Sequence, residues 1–181
     1  MTIKGPSVNQ DAVSRRKNAV RAGHLPGSDL PAELLDDTDH LVRDAALGAH
    51  ARTGDLTIRD IERAMGDSSP VVRRRVAEIL ARGDDQIAPD PERQFDANDA
   101  LITLLSDPDD SVVEVAGWAA GERADTSPEL LRLLCTTAQS HEDALCREAA
   151  AGRTDVEVGT IRGKRHRLQM VPQPASSAGW P

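Results

Sequence analysis

Aromatic side chains are nearly absent from the 181-residue chain, which has no tyrosine and only Phe95, Trp118 and Trp180. Alanine, leucine and valine must therefore fill the core, and this composition suits closely packed helices better than a β-sandwich. The same shortage counts against a pocket that stacks a large ring ligand on aromatic side chains.

Long apolar runs and cysteine pairs are also missing. No run approaches the roughly 18–20 apolar residues of a membrane span, so no membrane insertion is predicted. The first residues lack the apolar segment of a signal peptide. Cys135 and Cys146 provide neither a disulfide framework nor a zinc-binding spacing. We therefore expect no metal or cofactor and a reducing, cytoplasmic location.

Charge is unevenly distributed along the chain. Residues 31–152 carry 26 acids against 12 bases, a net charge of −14, whereas 1–30 and 153–181 each carry five bases and two acids. An acidic body repels phosphate backbones, so nucleic acid is not the expected partner. The basic run Arg162–Arg167 is interpreted as a solvated segment, with a tether to an acidic partner as the alternative.

One pattern occurs four times, at 36–46, 67–77, 107–116 and 141–150. Each copy has a polar turn, a small apolar residue and the start of a helix with a small-residue face. The apolar anchors Val42, Val72, Val112 and Cys146 are separated by 30, 40 and 34 residues. Self-similarity at this period indicates a solenoid of stacked helical hairpins.

The repeats divide the chain into three parts. Residues 1–29 form an N-terminal segment whose Asp11 and Gly23 bound a candidate capping helix. Residues 30–152 form the repeat domain, predicted to be an all-α, short α-solenoid of antiparallel helix pairs, with a proline-containing loop at 83–96. Residues 153–181 are predicted to be a disordered basic tail. Because the last repeat lacks a polar cap, we expect self-association through its open face.

A family resemblance rests on the third copy, Asp107-Pro-Asp-Asp-Ser-Val-Val-Glu-Val-Ala-Gly-Trp-Ala-Ala-Gly-Glu122. It resembles the HEAT-like repeats first noted in phycobilisome lyases, and the resemblance covers roughly 30–152. It implies stacked helix pairs and a core position for Trp118. In the family, an arginine after the apolar anchor commonly joins an aspartate of the preceding turn. The matching positions here are Arg43, Arg73 and Arg147, with Asp37, Asp67 and Asp107 among the turn acids.

This resemblance also marks where the ladder of arginines and aspartates is interrupted. The third copy has Val113 in place of the arginine, and the fourth has His141 in place of the first aspartate. We therefore predict an incomplete ladder whose ion pairs set the register of the repeats rather than supply large net stability.

Enzymes with similar repeats offer alternatives. Deoxyhypusine hydroxylase holds two irons with several His-Glu dipeptides, whereas this chain has only His141-Glu142. Bilin lyases need a tetrapyrrole pocket, and alkylpurine DNA glycosylases need a basic face; the only basic cluster in the body is Arg73–Arg75. Cys135 and Cys146 lie on apolar helical faces and are predicted to be structural thiols.

We therefore predict a non-catalytic protein-interaction or scaffold module whose partner is another protein. The alternative is an accessory protein or enzyme resembling a bilin lyase or another HEAT-like oxidoreductase. No catalytic, cofactor-binding or metal-binding residue is predicted. By resemblance, the second helices, at about 40–53, 70–82, 110–123 and 142–151, line the concave side. The residues expected to be exposed there and to form the interface are Asp44, Arg74, Arg75 and Glu114.

Overall fold

The computed structural model describes residues 11–25, 27, 30–83 and 86–152. The tail predicted to be disordered, 153–181, lies outside these residues. The described chain is mostly helical, which confirms the all-α prediction. Its helices are α1 (Ala12–Ala22), α2 (His40–Thr53), α3 (Ile58–Met65), α4 (Pro70–Leu80), α5 (Ala97–Leu104), α6 (Asp110–Glu122), α7 (Pro128–Ser140) and α8 (144–152), with a 3₁₀ turn at Ala32–Asp36.

Polar side chains define where the helices begin. Asp39 caps α2 by accepting hydrogen bonds from the backbone N–H groups of Leu41 and Val42, in the first turn of the helix. Thr57 and Asp60 form a reciprocal capping box at α3. Ser127 caps α7, and Pro128 occupies its first position, where a missing N–H has no cost. These local signals explain why the sequence predicted most helix starts closely.

The helices form two layers. Helices α1, α2, α4 and α6 pack side by side in that order, while α3 packs on α4, and α5 packs on both α6 and α7. Helix α8 continues the first layer, because a Cβ atom added at Gly117 of α6 would lie 3.2 Å from the backbone nitrogen of Ala150. We call α1, α2, α4, α6 and α8 the inner helices.

The core is continuous from α2 to α8. Its largest fully buried side chains are aliphatic. A second, smaller cluster lies between α1 and α2, so α1 adheres to the array through a separate and mostly alanine contact. The large side chains of the main core include Leu47, Leu56, Ile61, Leu80, Leu101, Leu104, Leu130 and Leu134. The smaller cluster contains Ala19, Leu30, Ala45 and Ala49.

The segment 83–96 is not entirely a loop, contrary to the prediction. Its strand β2 (Ile87–Ala88) pairs in parallel with β1 (Leu56–Thr57), so that Leu56 faces Ile87. The side chain of Ile87 is buried in the main core. A two-residue strand leaves no periodicity in the sequence, and burial of Ile87 together with backbone pairing holds the segment against the start of α3.

Candidate interaction surface

The inner helices share a common register that starts at their N-caps. These caps are Asp11, Asp39, Ser69, Asp109 and Asp143. The residue four positions after each cap is called the rung position here, and it is arginine in four of the five helices. Two residues before each of the last four caps stands the matching turn position. In chain order, the rung positions are Arg15, Arg43, Arg73, Val113 and Arg147, and the turn positions are Asp37, Asp67, Asp107 and His141.

Three arginines bind turn aspartates in one repeated geometry, which we call a rung. In the rung Arg43–Asp67, the arginine Nε and Nη2 atoms each donate to one carboxylate oxygen at 2.7 Å. The rung Arg73–Asp107 has the same two bonds at 2.7 and 2.8 Å. Bidentate pairing of this kind fixes both distance and orientation, so each rung sets the position of one inner helix on the next.

The hydrogen bonds of the third guanidinium nitrogen, Nη1, show that the resemblance implies the wrong turn as the source of the carboxylate. Nη1 of Arg43 donates to the backbone carbonyl of Asp37, in its own preceding turn, at 2.7 Å. Nη1 of Arg73 donates likewise to the carbonyl of Asp67 at 2.7 Å. The preceding turn thus supplies a main-chain oxygen, whereas the carboxylate comes from the following turn. The expectation that the arginine joins an aspartate side chain of the preceding turn is wrong.

The first rung comes from the N-terminal helix, where the repeat pattern predicted none. Nε and Nη2 of Arg15 donate to the carboxylate of Asp37 at 2.6 and 2.8 Å. Helix α1 is therefore an inner helix in the same register as the others. The spacing of four residues from Asp11 to Arg15, equal to that from Asp39 to Arg43, was the signal that could have shown it.

Each rung aspartate also organises its own turn. One carboxylate oxygen of Asp37, Asp67 or Asp107 accepts the N–H of the N-cap residue two positions later, at 2.8–2.9 Å. The hydrogen bond from Arg15 lowers the pKa of Asp37. For Asp67 and Asp107, burial is the largest influence and acts to raise the pKa. Hydrogen bonds from the arginine and the cap N–H outweigh it, so the pKa of each lies below its ordinary value.

Between α6 and α8, other residues stand in place of both the arginine and the aspartate of a rung. Val113 is buried where an arginine would stand. His141 keeps the turn function, because its Nδ1 accepts the N–H of Asp143 at 3.2 Å, as a carboxylate oxygen does elsewhere. Its Nε2 faces Asp110 Oδ1 at 4.0 Å. The predicted interruption of the ladder is found here, at a joint with a histidine and an acid in place of the bidentate pair.

Asp110, His141 and Cys146 have ligand atoms within 4.8 Å of one another, which is the spacing of a metal site. Their hydrogen bonds favour another arrangement. Because Nδ1 of His141 accepts a hydrogen bond, a neutral imidazole ring carries its proton on Nε2, the atom that faces Asp110. The Cys146 thiol is 3.2 Å from the Asp110 carbonyl, and burial raises its pKa to about 11. A metal would have to displace both protons, so the trio is arranged as a hydrogen-bonded turn.

Asp44 is not exposed, so this part of the predicted interface is wrong. Its side chain is buried, and it accepts a hydrogen bond from Arg75 of α4 at 2.8 Å. Arg75 also pairs with Glu78 and lies over Gly48, where a side chain on α2 would contact it. Because α2 has glycine at that point, Arg75 can close over Asp44, and the pair joins two inner helices.

The other two predicted interface residues, Arg74 and Glu114, are half-buried on α4 and α6. The Nε atom of Arg74 is buried and has no hydrogen-bond partner among the described residues. Trp118, expected in the core, is instead 46% exposed. It lies four residues after Glu114 on α6, and this spacing places the two side chains on one side of the helix.

Exposed apolar side chains share that side. We call the positions two, five, six and nine residues after each N-cap the inner face, because these spacings fall on one side of a helix. Val13, Val20, Trp118 and Leu145 are 41–56% exposed and occupy inner-face positions two or nine. The predicted interface residues Asp44, Arg74, Arg75 and Glu114 occupy its positions five and six.

A cleft of about 440 Å³ opens at the N-terminal end of the inner face. Its apolar lining includes Val13 and Val20 of α1 and Leu41 of α2. Arg16, Lys17 and Arg21 stand around it, together with the N-cap residue Asp39. The cleft therefore combines apolar walls with positive charge, whereas residues 31–152 as a whole are acidic.

Within the residues that the structure describes, no helix is both long and apolar enough to cross a membrane. Residues 59–152, just over half of the chain, match the family model for HEAT repeats. No curated protein matches the chain. The matched stretch runs from the second residue of α3 through α8 and therefore contains the rung Arg73–Asp107 and the joint at His141.

Proposed function

The chain belongs to the HEAT-repeat family, and from this premise we propose that it is a non-catalytic interaction module that binds another protein along its inner face. HEAT repeats are in general protein-interaction modules, because stacked hairpins present an extended, regular surface whose outer residues can vary without harm to the core. The proposed compartment is the cytoplasm, with Cys135 and Cys146 as free thiols.

The observation that supports the inner face is the placement of Trp118 and Leu145. Both are large, apolar and about half exposed, and they occupy inner-face positions nine and two of the neighbouring inner helices α6 and α8. Exposed apolar side chains in a group mark interaction sites more reliably than scattered ones. Tryptophan is also the residue type most enriched among side chains that dominate binding energy.

The surrounding charges indicate how such a partner would be oriented. Glu114 and Glu148 lie on the same face of α6 and α8, whereas Arg16 and Lys17 lie on that of α1. The inner face thus changes from positive at its N-terminal end to negative at its C-terminal end. We expect an elongated partner of opposite polarity, since complementary charge sets orientation and association rate.

Affinity capture from the native cell, repeated with matched variants, tests this proposal. Leu145→Ser and Trp118→Ala alter the inner face, whereas Leu25→Ser makes the same leucine change at an exposed position off that face. We expect the partner found with wild type and Leu25→Ser to bind the inner-face variants at least about tenfold more weakly, as for an interface centre. Equal affinity for all four proteins would refute the inner face as the interface.

The alternative, an accessory protein or enzyme of the bilin-lyase or HEAT-like oxidoreductase type, rests on the resemblance of 107–122 alone. Such a protein would carry a chromophore or a metal, or would turn over its partner. Visible absorbance and elemental analysis of the protein purified from its native cell separate the two functions. A stoichiometric chromophore or metal would replace the scaffold proposal.

A further inference from the structure

The first and last inner helices that the structure describes begin alike. Helix α1 starts Asp11-Ala-Val-Ser-Arg15, and α8 starts Asp143-Ala-Leu-Cys-Arg147. Both have an aspartate N-cap, an alanine, an exposed apolar residue, a small residue and the rung arginine. Alanine also stands eight residues after each cap, at Ala19 and Ala151. The two ends of the array therefore carry closely similar helical segments.

Arg147 is held as a rung arginine is held. Its Nη1 donates to the carbonyl oxygens of His141 and Glu142 at 2.6 and 2.8 Å, matching the bonds that Arg43 and Arg73 make to their own turns. In those two residues, Nε and Nη2 then bind the next aspartate. For Arg147, no acid contacts Nε or Nη2 within 11–25, 27, 30–83 and 86–152. One edge of an already oriented guanidinium is thus left for a carboxylate.

Among the described residues, one rung aspartate is reached by an inner helix at the end of the described array. Asp37 receives Arg15 of α1, whereas Asp67 and Asp107 receive arginines from helices inside the array. Helix α1 packs through the small cluster containing Ala19, Ala45 and Ala49, apart from the main core. Alanines bury little apolar area compared with leucines, so α1 is the inner helix that can leave its place at least cost.

From these observations we propose that α8 of one copy docks on α2 of a second copy in place of α1, with Arg147 on the second copy's Asp37. In this exchange, an Arg147–Asp37 pair of the same kind replaces the bidentate Arg15–Asp37 pair. One alanine-containing helix, α8, likewise replaces another, α1. The free-energy difference between the two arrangements is therefore small, and association depends on protein concentration. This contact uses the ends of the array and is independent of the inner-face partner.

Sedimentation velocity over a concentration series tests the proposal. Arg15→Ala weakens the competing α1, so the fraction of molecules with an open Asp37 rises. The apparent dissociation constant should then fall by the same factor, about tenfold or more. Adding Arg147→Ala should remove the association. Adding Arg132→Ala instead, an exposed arginine on α7, should not.

A mixing experiment makes the result independent of any general weakening of the fold. The double variant Arg15→Ala/Arg147→Ala offers an open Asp37 but no Arg147, and Asp37→Asn offers Arg147 but no carboxylate. Each alone should be monomeric, and their mixture should associate. The proposal is overturned if the mixture sediments as two monomers, or if Arg147→Ala and Arg132→Ala have equal effects in the Arg15→Ala background. Circular dichroism confirms that each variant keeps its helices.

Discussion

Arg73 contacts two successive turns at once: it donates to the carboxylate of Asp107 in the following turn and to the backbone carbonyl of Asp67 in its own. Both side chains of the rung Arg73–Asp107 are largely buried, at 12% and 7% exposed. The pair therefore lies where water competes little for its hydrogen bonds. Its consequence is positional, since two turns and two inner helices are fixed by one guanidinium group.

The first prediction concerns this rung. Asp107→Asn should reduce the free energy of unfolding by about 2–3 kcal/mol, because it leaves a mostly buried arginine without its charge partner. Asp36→Asn is the matched control. Asp36 pairs with Arg63, but both side chains are about half exposed or more, so its loss should cost about 0–1 kcal/mol. Urea denaturation measures both, and equal losses would contradict the role of the rung.

The sequence allowed the helices to be predicted because their start signals are local. Thr57 with Asp60 and Ser127 with Pro128 act within one turn, so no knowledge of distant residues is needed. The direction of the rungs could not be read in this way. Whether Arg43 meets Asp37 or Asp67 depends on how far one hairpin is shifted along the next, and this shift results from packing between the helices.

Exposure was predicted less well than helix position, for related reasons. Asp44 is buried because Arg75, 31 residues away in the chain, closes over Gly48. Trp118 was expected in the core from the resemblance, although its spacing from Glu114 already placed the two on one side of α6. A family position indicates what a residue commonly does, whereas the helix register of this chain determines what it contacts.

A second prediction restores the missing rung between α6 and α8. Val113→Arg alone should destabilise the fold, because it places a charge at a buried position without an acceptor. His141→Asp alone should cost less, since an aspartate can still accept the N–H of Asp143. Combined, the two changes recreate the arginine and aspartate of the other rungs.

We expect the double variant to be more stable than the sum of the single effects by about 1–3 kcal/mol, a coupling typical of residues in direct contact. Chemical denaturation of the wild type, both single variants and the double variant gives this coupling energy. Strict additivity of the two single free-energy changes would contradict this expectation. It would show that α8 is shifted along α6 by a different distance from that by which α4 is shifted along α2.

The third prediction follows from the lowered pKa values of the rung aspartates. Asp37, Asp67 and Asp107 bind protons less readily in the folded state than at their ordinary pKa of 3.8. Their stabilisation is therefore complete above that pH. It is lost as the pH falls below 3.8 and through the folded-state pKa values, since the unfolded chain then binds more protons.

Urea midpoints measured from pH 6 to about pH 2.5 should consequently fall most steeply below about pH 4. Asp67→Asn should be less stable at neutral pH but show a shallower decline in acid, because one of the three rung carboxylates is gone. A decline as steep as that of the wild type would mean that other carboxylates carry the acid sensitivity.

The last prediction separates the two thiols. Cys146 is 1% exposed, donates to the Asp110 carbonyl and has its pKa raised to about 11, chiefly by burial. Cys135 on α7 is half-buried. Because the thiolate is the reactive form, iodoacetamide at pH 8 should modify Cys135 first and reach Cys146 only when α8 opens. In Cys135→Ser, labelling followed by mass spectrometry should therefore show slow modification that urea accelerates. Rapid native alkylation of Cys146 would instead mean that α8 opens readily in the monomer, and that the joint at His141 holds it more weakly than a rung would.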